Sequence, residues 1–117
     1  SLNAAVGFAQ LEYFDHILQN KRETAEMYHT FFGNIGVAVR KEPINAKSNY
    51  WLNAILLDNK NQRDDFLDFT NNNGVQTRPI WTLMYKMPPY FEFQRTDMTN
   101  SEFIEERLVN IPSSVRI

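Results

Sequence analysis

The residues best suited to ligand chemistry lie in one proline-stiffened segment, Thr77–Phe91, which carries Arg78, Trp81, Tyr85 and Tyr90. A guanidinium is a planar fork that matches a phosphate or a carboxylate, and aromatic faces suit a base or a sugar ring. Binding residues are often found on loops that a rigid scaffold holds in place. The segment is therefore suited to bind an anionic ligand that contains a ring.

A packing role for the same segment stays open. In that alternative, Trp81, Tyr90 and Phe91 cover the edge of a sheet, and Arg78 pairs with a nearby aspartate. Composition by itself favours packing over binding.

Other chemistries lack their residue patterns. The four glycines match neither the dinucleotide-binding nor the Walker phosphate loop, and no serine lies in a G-x-S-x-G context. His16 and His29 share a predicted helix without the spacing of a zinc site, and the pairs Asp64–Asp65 and Glu105–Glu106 fall on predicted solvent faces. We therefore predict no catalytic residue and no metal site in this chain.

Composition limits the class of protein. The chain has 117 residues, 43% of them hydrophobic, a net charge of −2 and no cysteine. This length suits a single domain, residues 1–117, with its own core. The lack of cysteine excludes disulfides and thiol chemistry and is compatible with the cytoplasm, where we expect the protein. The charge gives no footprint for nucleic acid or an anionic membrane, and no apolar run reaches the ~20 residues of a membrane span.

Apolar spacing predicts one long opening helix from Asn3, its N-cap, to about Phe32. At ~1.5 Å per residue such a helix is about 45 Å long, so we expect it to overhang its own domain and to contact another body. The first residues resemble a helix already under way. We therefore expect the chain to be a piece of a longer protein.

The remaining patterns alternate between strands and helices. Strands are predicted at 37–40, 49–57, 75–77 and 109–111, and helices at 62–72 and from Asn100 or Ser101 to about Leu108. Residues 78–95 are predicted to be irregular. The order indicates an α+β domain in which helices cover one face of a small, mostly antiparallel sheet. The other face has no obvious cover.

Six stretches, taken in order, resemble the C-terminal domain of PLP-dependent sugar-nucleotide aminotransferases of the DegT/StrS type. They are Asn3–Leu11, Lys21–Arg22, Asn49–Leu52, Arg63–Phe66, Gly74–Trp81 and Val109–Ser114. The resemblance extends over essentially the whole chain. The closest-looking branch acts on 4-keto-6-deoxy sugar nucleotides, as in legionaminic-acid and perosamine-type pathways.

The resemblance implies a fold-type-I parent enzyme that works in surface-polysaccharide sugar biosynthesis. Its substrates would be a nucleotide-linked keto sugar and an amino donor, glutamate, and it would act as a homodimer. The family's Schiff-base lysine belongs to an N-terminal cofactor domain that this chain does not include. We therefore expect pyridoxal 5'-phosphate in the intact parent, none bound to this chain, and no activity of this chain alone.

The resemblance also implies which residues bind the substrate. Arg78 and Trp81 are the leading candidates, followed by Thr77 and Tyr85. Many relatives have Trp-Lys-Pro-Met-His where this chain has Trp-Thr-Leu-Met-Tyr at 81–85. The missing basic and imidazole groups imply a different mode of substrate recognition.

A second hypothesis comes from another class of protein. The chain could be a stand-alone, non-catalytic interaction module that docks through its long helix. An independent small enzyme is not supported, because the chain has no nucleophile–base pair and no metal-ligand cluster in its sequence pattern.

Overall fold

A computed structural model of the chain describes residues 1–116 as four helices and one four-stranded sheet. The helices are α1 (Leu2–Glu12), α2 (Phe14–Asn34), α3 (Lys60–Asn72) and α4 (Thr99–Glu105). The strands are β1 (Ala38–Val39), β2 (Asn53–Leu56), β3 (Arg78–Pro79) and β4 (Leu108–Ile111). Short 3-10 turns span Met84–Lys86 and Pro88–Tyr90. The predicted α+β class is confirmed.

The sheet has the order β1-β2-β4-β3, and all of its strand pairs are antiparallel. Ile55 lies opposite Val109, whereas Asn110 lies opposite both Ala54 and Arg78. Because residues directly opposite each other share a face, Ile55 and Val109 point to one side of the sheet. Ala54, Asn110 and Arg78 point to the other side.

The core lies on the Ile55 side of the sheet. Ile55, Leu57, Val109 and Ile111 are buried there, and they pack against side chains of α2 and α3. Those partners include Tyr28, Phe32, Phe66 and Leu67. The prediction that helices cover one face is therefore confirmed.

The opposite face of the sheet is only partly covered. A hollow of about 230 Å³ remains on it between β1, β2 and the side chains of Ile104 and Leu108. A second, larger groove on the same face is described with the candidate site. The prediction of a face without cover is therefore met only in part, because Ile104 of α4 borders this hollow.

The N-terminal helix differs from its prediction in two ways. It breaks at Tyr13, which separates α1 from α2 with φ −107° and ψ 5°. None of the α1 side chains is buried. The predicted cap Asn3 is also wrong: the Ser1 hydroxyl already accepts from the Ala4 N–H at 3.3 Å, which leaves Asn3 inside the first turn.

The strand predicted at 49–57 begins only at Asn53. Ser48 Oγ accepts the Tyr50 N–H, and Asn49 Oδ1 accepts the Trp51 N–H, each at 3.0 Å. Such side-chain acceptors compete with the sheet ladder and favour a turn. Tyr50 accordingly adopts the left-handed φ of 46°.

The strand predicted at 75–77 is also wrong. Gly74 has φ 79°, and the Val75 N–H donates to the Thr70 carbonyl at 2.9 Å, so this segment completes the C-cap of α3. Pairing with β4 starts instead at Arg78.

Two helix starts and one strand length also differ. α3 begins at Lys60 because Asn59 Oδ1 caps the Gln62 N–H at 2.9 Å. α4 begins at Thr99, so the predicted caps Asn100 and Ser101 lie inside it. The strand at 37–40 shortens to Ala38–Val39. Among the described residues, no helix is long and apolar enough to cross a membrane.

We expect the Ile55→Ala variant to lower the free energy of unfolding by about 2–5 kcal/mol, because Ile55 is 1% exposed and its truncation leaves a cavity. The matched control Ile44→Ala, at a side chain that is 93% exposed, should change it by no more than about 0.5 kcal/mol. Denaturant unfolding measures both values. Equal effects of the two variants would contradict the assigned core.

Candidate functional site

A groove of about 970 Å³ lies beside β3, on the sheet face that carries Arg78 and Asn110. We call it the β3 groove. Trp51 and Trp81 contribute indole rings to its wall, and Gln76 adds a polar amide. The volume is in the range of ~300–1,000 Å³ that is typical of small-molecule sites. The mixture of apolar wall and a few polar groups is also typical of such sites.

The structure brings Arg78 and Trp81 together in this groove. One guanidinium nitrogen of Arg78 donates to Asn71 Oδ1 at 3.2 Å and to the Thr77 carbonyl at 3.0 Å. Within residues 1–116, Arg78 forms no ion pair with a carboxylate, so the arginine–aspartate alternative is not what the structure shows. Trp81 is 75% exposed rather than packed on the sheet edge. Both side chains are therefore accessible to a ligand.

Thr77 lies behind the groove, where it is 2% exposed. Its Oγ1 is 2.6 Å from Thr70 Oγ1, and the Asn71 amide donates to Thr77 Oγ1 at 3.0 Å and to the Thr77 carbonyl at 3.1 Å. These bonds tie the end of α3 to the start of β3. Thr77 thus sets the position of Arg78, while its own hydroxyl is turned into a buried network.

Tyr85 lies in a different hollow, next to Arg95 and Phe93. Its hydroxyl donates to Glu102, and the guanidinium of Arg95 stacks 4.7 Å from the ring centre. The hydrogen bond to Glu102, together with desolvation, raises the pKa of Tyr85. The structure therefore does not bring Tyr85 to Arg78 and Trp81.

Glu105 anchors the loop that forms one wall of the groove. Its carboxylate accepts from the Leu83 N–H at 3.0 Å and from the Lys86 ammonium, and so it fixes Met84 between them. Desolvation opposes the charge of Glu105, but the hydrogen bonds from Lys86 and Leu83 outweigh it and lower the pKa of the carboxyl. The prediction of a solvent-facing Glu105 is wrong, because the loop folds back onto α4.

Trp51 is a groove residue that the sequence pattern did not indicate. It was predicted inside a strand, whereas the turn at Tyr50 places it on the β3 groove with Trp81. The polar pair Ser48–Asn49 is the sequence feature that indicates this turn, since both residue types favour turns through side-chain hydrogen bonds.

An ion pair holds the loop that leads to Trp51. Arg22 donates to both carboxylate oxygens of Glu42, at 3.1 and 2.8 Å, and also to the Ser48 carbonyl at 2.6 Å. Glu42 in turn accepts the Ser48 N–H at 2.6 Å. The hydrogen bonds from Arg22 and Ser48 lower the pKa of Glu42 to about 2. Loop residues 42–48 are therefore fastened to α2.

No group of three or more potential metal ligands clusters within the part of the chain that the structure describes. The β3 groove offers one guanidinium, amides and aromatic or aliphatic side chains. Such a set can hold an anion and a flat ring, and it contains no acid–base pair.

Comparisons with known proteins agree with this fold. The profile of the DegT/DnrJ/EryC1/StrS aminotransferase family matches residues 1–117. A GDP-perosamine synthase of Vibrio cholerae is 34% identical over 116 residues, which cover 97% of this chain and 32% of the relative. The chain thus spans about a third of the length of this curated relative.

Solved structures show the same architecture. The aminotransferase TlmJ from Streptoalloteichus hindustanus matches with a TM-score of 0.86 at 20% identity, over 97% of this chain and 31% of that one. An E. coli GDP-4-keto-6-deoxy-D-mannose-3-dehydratase with bound hydrated PLP matches with a TM-score of 0.79 at 18% identity, over 96% of this chain and 30% of that one. At these identities the likeness concerns the fold.

We expect the Glu42→Gln variant to be less stable than the parent chain at neutral pH, because it loses the charged acceptor of Arg22. Since folding lowers the pKa of Glu42 from 4.5 to about 2, its contribution is complete above pH 4.5 and disappears as the pH falls to about 2. The difference in unfolding free energy between the parent chain and Glu42→Gln should therefore decrease as the pH falls from 4.5 to about 2.

Unfolding free energies measured at several pH values test this expectation. An Arg22→Ala variant should lose the same pH-dependent part, and the double variant should add little to either single change. A stability difference that stays constant from pH 7 to pH 2 would contradict the role of the pair.

Proposed function

Because the chain belongs to the DegT/DnrJ/EryC1/StrS aminotransferase family, we propose that residues 1–117 form the C-terminal domain of a PLP-dependent enzyme that transfers an amino group to a keto-sugar nucleotide. The Vibrio cholerae relative is named a GDP-perosamine synthase, which favours a GDP-linked sugar. Together with the resemblance to the branch that acts on 4-keto-6-deoxy sugar nucleotides, it favours a GDP-linked 4-keto-6-deoxy sugar as the acceptor. In this proposal the domain helps to hold the sugar nucleotide, and it supports the cofactor domain of the same enzyme.

The observation that carries the proposal is the joint exposure of Arg78 and Trp81 in the β3 groove. A sugar nucleotide presents a diphosphate and flat or ring-shaped groups. The guanidinium matches the diphosphate, and the indole matches a ring face. Thr77 supports Arg78 from behind, and Tyr85 braces the neighbouring loop. A direct contact of either residue with substrate stays a prediction.

The β3 groove does not fit a Schiff-base site for pyridoxal phosphate. Lys21 Nζ donates to the Ser113 carbonyl at 2.5 Å, Lys86 pairs with Glu105, and the β3 groove has no lysine among its lining residues. We therefore assign the cofactor and its lysine to the part of the parent enzyme outside this chain. Inactivity of the chain alone, glutamate as the donor, a homodimer and a cytoplasmic location belong to the same proposal.

The exposed α1 helix fits a domain of a larger enzyme. Leu2, Phe8 and Leu11 are large apolar side chains that the rest of the chain leaves uncovered. Exposed apolar patches of this kind mark interaction sites. In this proposal α1 contacts the cofactor domain. The comparisons do not favour the alternative of a stand-alone interaction module.

We expect Arg78→Ala, made in the full-length parent, to raise KM for the sugar nucleotide by roughly 10- to 150-fold, because a hydrogen bond to a charged group contributes about 1.5–3 kcal/mol. The half-reaction with the amino donor alone should keep its rate. Steady-state and single-turnover kinetics measure the two effects separately.

The control is Lys60→Ala, which removes an exposed cation of α3 that does not line the groove. It should leave both half-reactions unchanged. Unchanged kinetics in Arg78→Ala would show that Arg78 does not contribute to substrate binding. A parent protein that aminates no keto-sugar nucleotide would contradict the proposed function itself.

A further inference from the structure

Both tryptophans of the chain lie on the β3 groove. Trp51 is 64% exposed and Trp81 is 75% exposed. Exposed indoles leave a large apolar face in water, and tryptophan is enriched where proteins contact ligands or partners. In the described residues, the ring stacks involve phenylalanine, tyrosine and histidine but neither indole. Two free indole faces therefore border one cavity.

The polar groups of the groove complement these rings. Gln76 and Asn110 line it with amide side chains, each of which can donate and accept hydrogen bonds. Arg78 adds a cation that suits a phosphate. This combination is suited to a nucleotide: the rings can stack on the base, the amides can hydrogen-bond to the edge of the base, and the cation can bind the phosphate.

We propose that Trp51 is a substrate-binding residue and that its indole stacks on the heteroaromatic base of the nucleotide. This inference rests on the proposed function, and it assigns the base to the Trp51 end of the groove and the diphosphate to Arg78. Base stacking tolerates different bases, so the choice among bases falls to Gln76 and Asn110.

The position of Trp51 depends on contacts that hold Tyr50, because the backbone of Tyr50 is in an unfavourable conformation. Tyr50 has φ 46°, which costs energy for a residue with a large side chain. Burial on α2 fixes it: its ring is packed 5.5 Å from the Arg22 guanidinium and 5.6 Å from the His29 ring. The Glu42 N–H also donates to the Tyr50 hydroxyl at 3.4 Å.

Arg22 and Glu42 are therefore positioning residues for Trp51. Arg22 contacts the Tyr50 ring and forms an ion pair with Glu42. Loss of Arg22 would therefore remove one contact of Tyr50 and one contact of the loop that precedes it. These groups act through Tyr50 and lie on a separate hollow from the β3 groove. Their removal should weaken binding of the base and leave binding of the diphosphate intact.

The test measures binding of two probes, guanosine diphosphate and inorganic pyrophosphate, to the full-length parent by titration calorimetry. Trp51→Ala should weaken binding of guanosine diphosphate by roughly 5- to 150-fold, which corresponds to the loss of one stacked base. Binding of pyrophosphate should not change. Trp51→Phe should retain most of the affinity, and the control Phe69→Ala, at an exposed ring of α3 outside the groove, should retain all of it.

The positioning role has its own readout. In a Trp81→Phe background, Trp51 is the sole tryptophan of this chain, so it reports its surroundings through fluorescence once tryptophans elsewhere in the parent are replaced. Arg22→Ala should shift its emission and weaken binding of guanosine diphosphate but not of pyrophosphate. Arg22→Lys should restore part of both effects. Glu23→Gln, next along α2, serves as the control and should change neither.

The outcomes distinguish failure of this inference from failure of the proposed function. If guanosine diphosphate binds and is weakened by Arg78→Ala but not by Trp51→Ala, the inference is overturned and the proposed function stands. Equal loss of both probes in Trp51→Ala overturns the inference as well. If the unmodified parent binds neither probe, the proposed function fails together with the inference. Unchanged Trp51 emission in Arg22→Ala would overturn the positioning role.

Discussion

The hydrogen-bonded junction between the end of α3 and the start of β3 determines where the groove lies. β3 pairs with β4 over only two residues, Arg78 and Pro79. The backbone hydrogen bonds between these strands therefore contribute little to fixing the edge strand. Two contacts fix the strand to the helix instead: the buried hydroxyls of Thr70 and Thr77 hydrogen-bond to each other, and the Asn71 amide donates to Thr77 Oγ1. Since strand residues alternate between faces, burying Thr77 turns Arg78 toward the open side of the sheet.

Two charged anchors then complete the groove from either side. Glu105 holds the loop after Trp81 against α4, and the Arg22–Glu42 pair holds the turn before Trp51 against α2. Both ion pairs are partly exposed, and pairs of this kind contribute only modestly to stability. Their importance here is geometric, because each one fixes an irregular segment that neither the core nor the sheet ladder can order.

The sequence predicted the regular part of this architecture and missed the irregular part. The period of apolar residues revealed α2 and α3, and the residue types of 77–91 pointed to Arg78 and Trp81. The turn that exposes Trp51 was missed because it depends on side-chain acceptors at Ser48 and Asn49, which override a strongly strand-forming composition. The prediction that Glu105 faces solvent was wrong for a related reason. The sequence of a helix does not reveal that a distant loop covers one of its faces, as residues 83–86 do here. The family resemblance, by contrast, depends on residues in order, and the match to residues 1–117 confirms it.

In our proposal, the β3 groove holds the nucleotide half of a sugar-nucleotide substrate. A crystal structure of the proposed full-length enzyme with a GDP-linked sugar bound would test this most directly. We expect the base to stack on the Trp51 indole and the diphosphate to lie within hydrogen-bond distance of the Arg78 guanidinium. A groove filled by another segment of that enzyme, with the nucleotide bound elsewhere, would show that the β3 groove is not the nucleotide site.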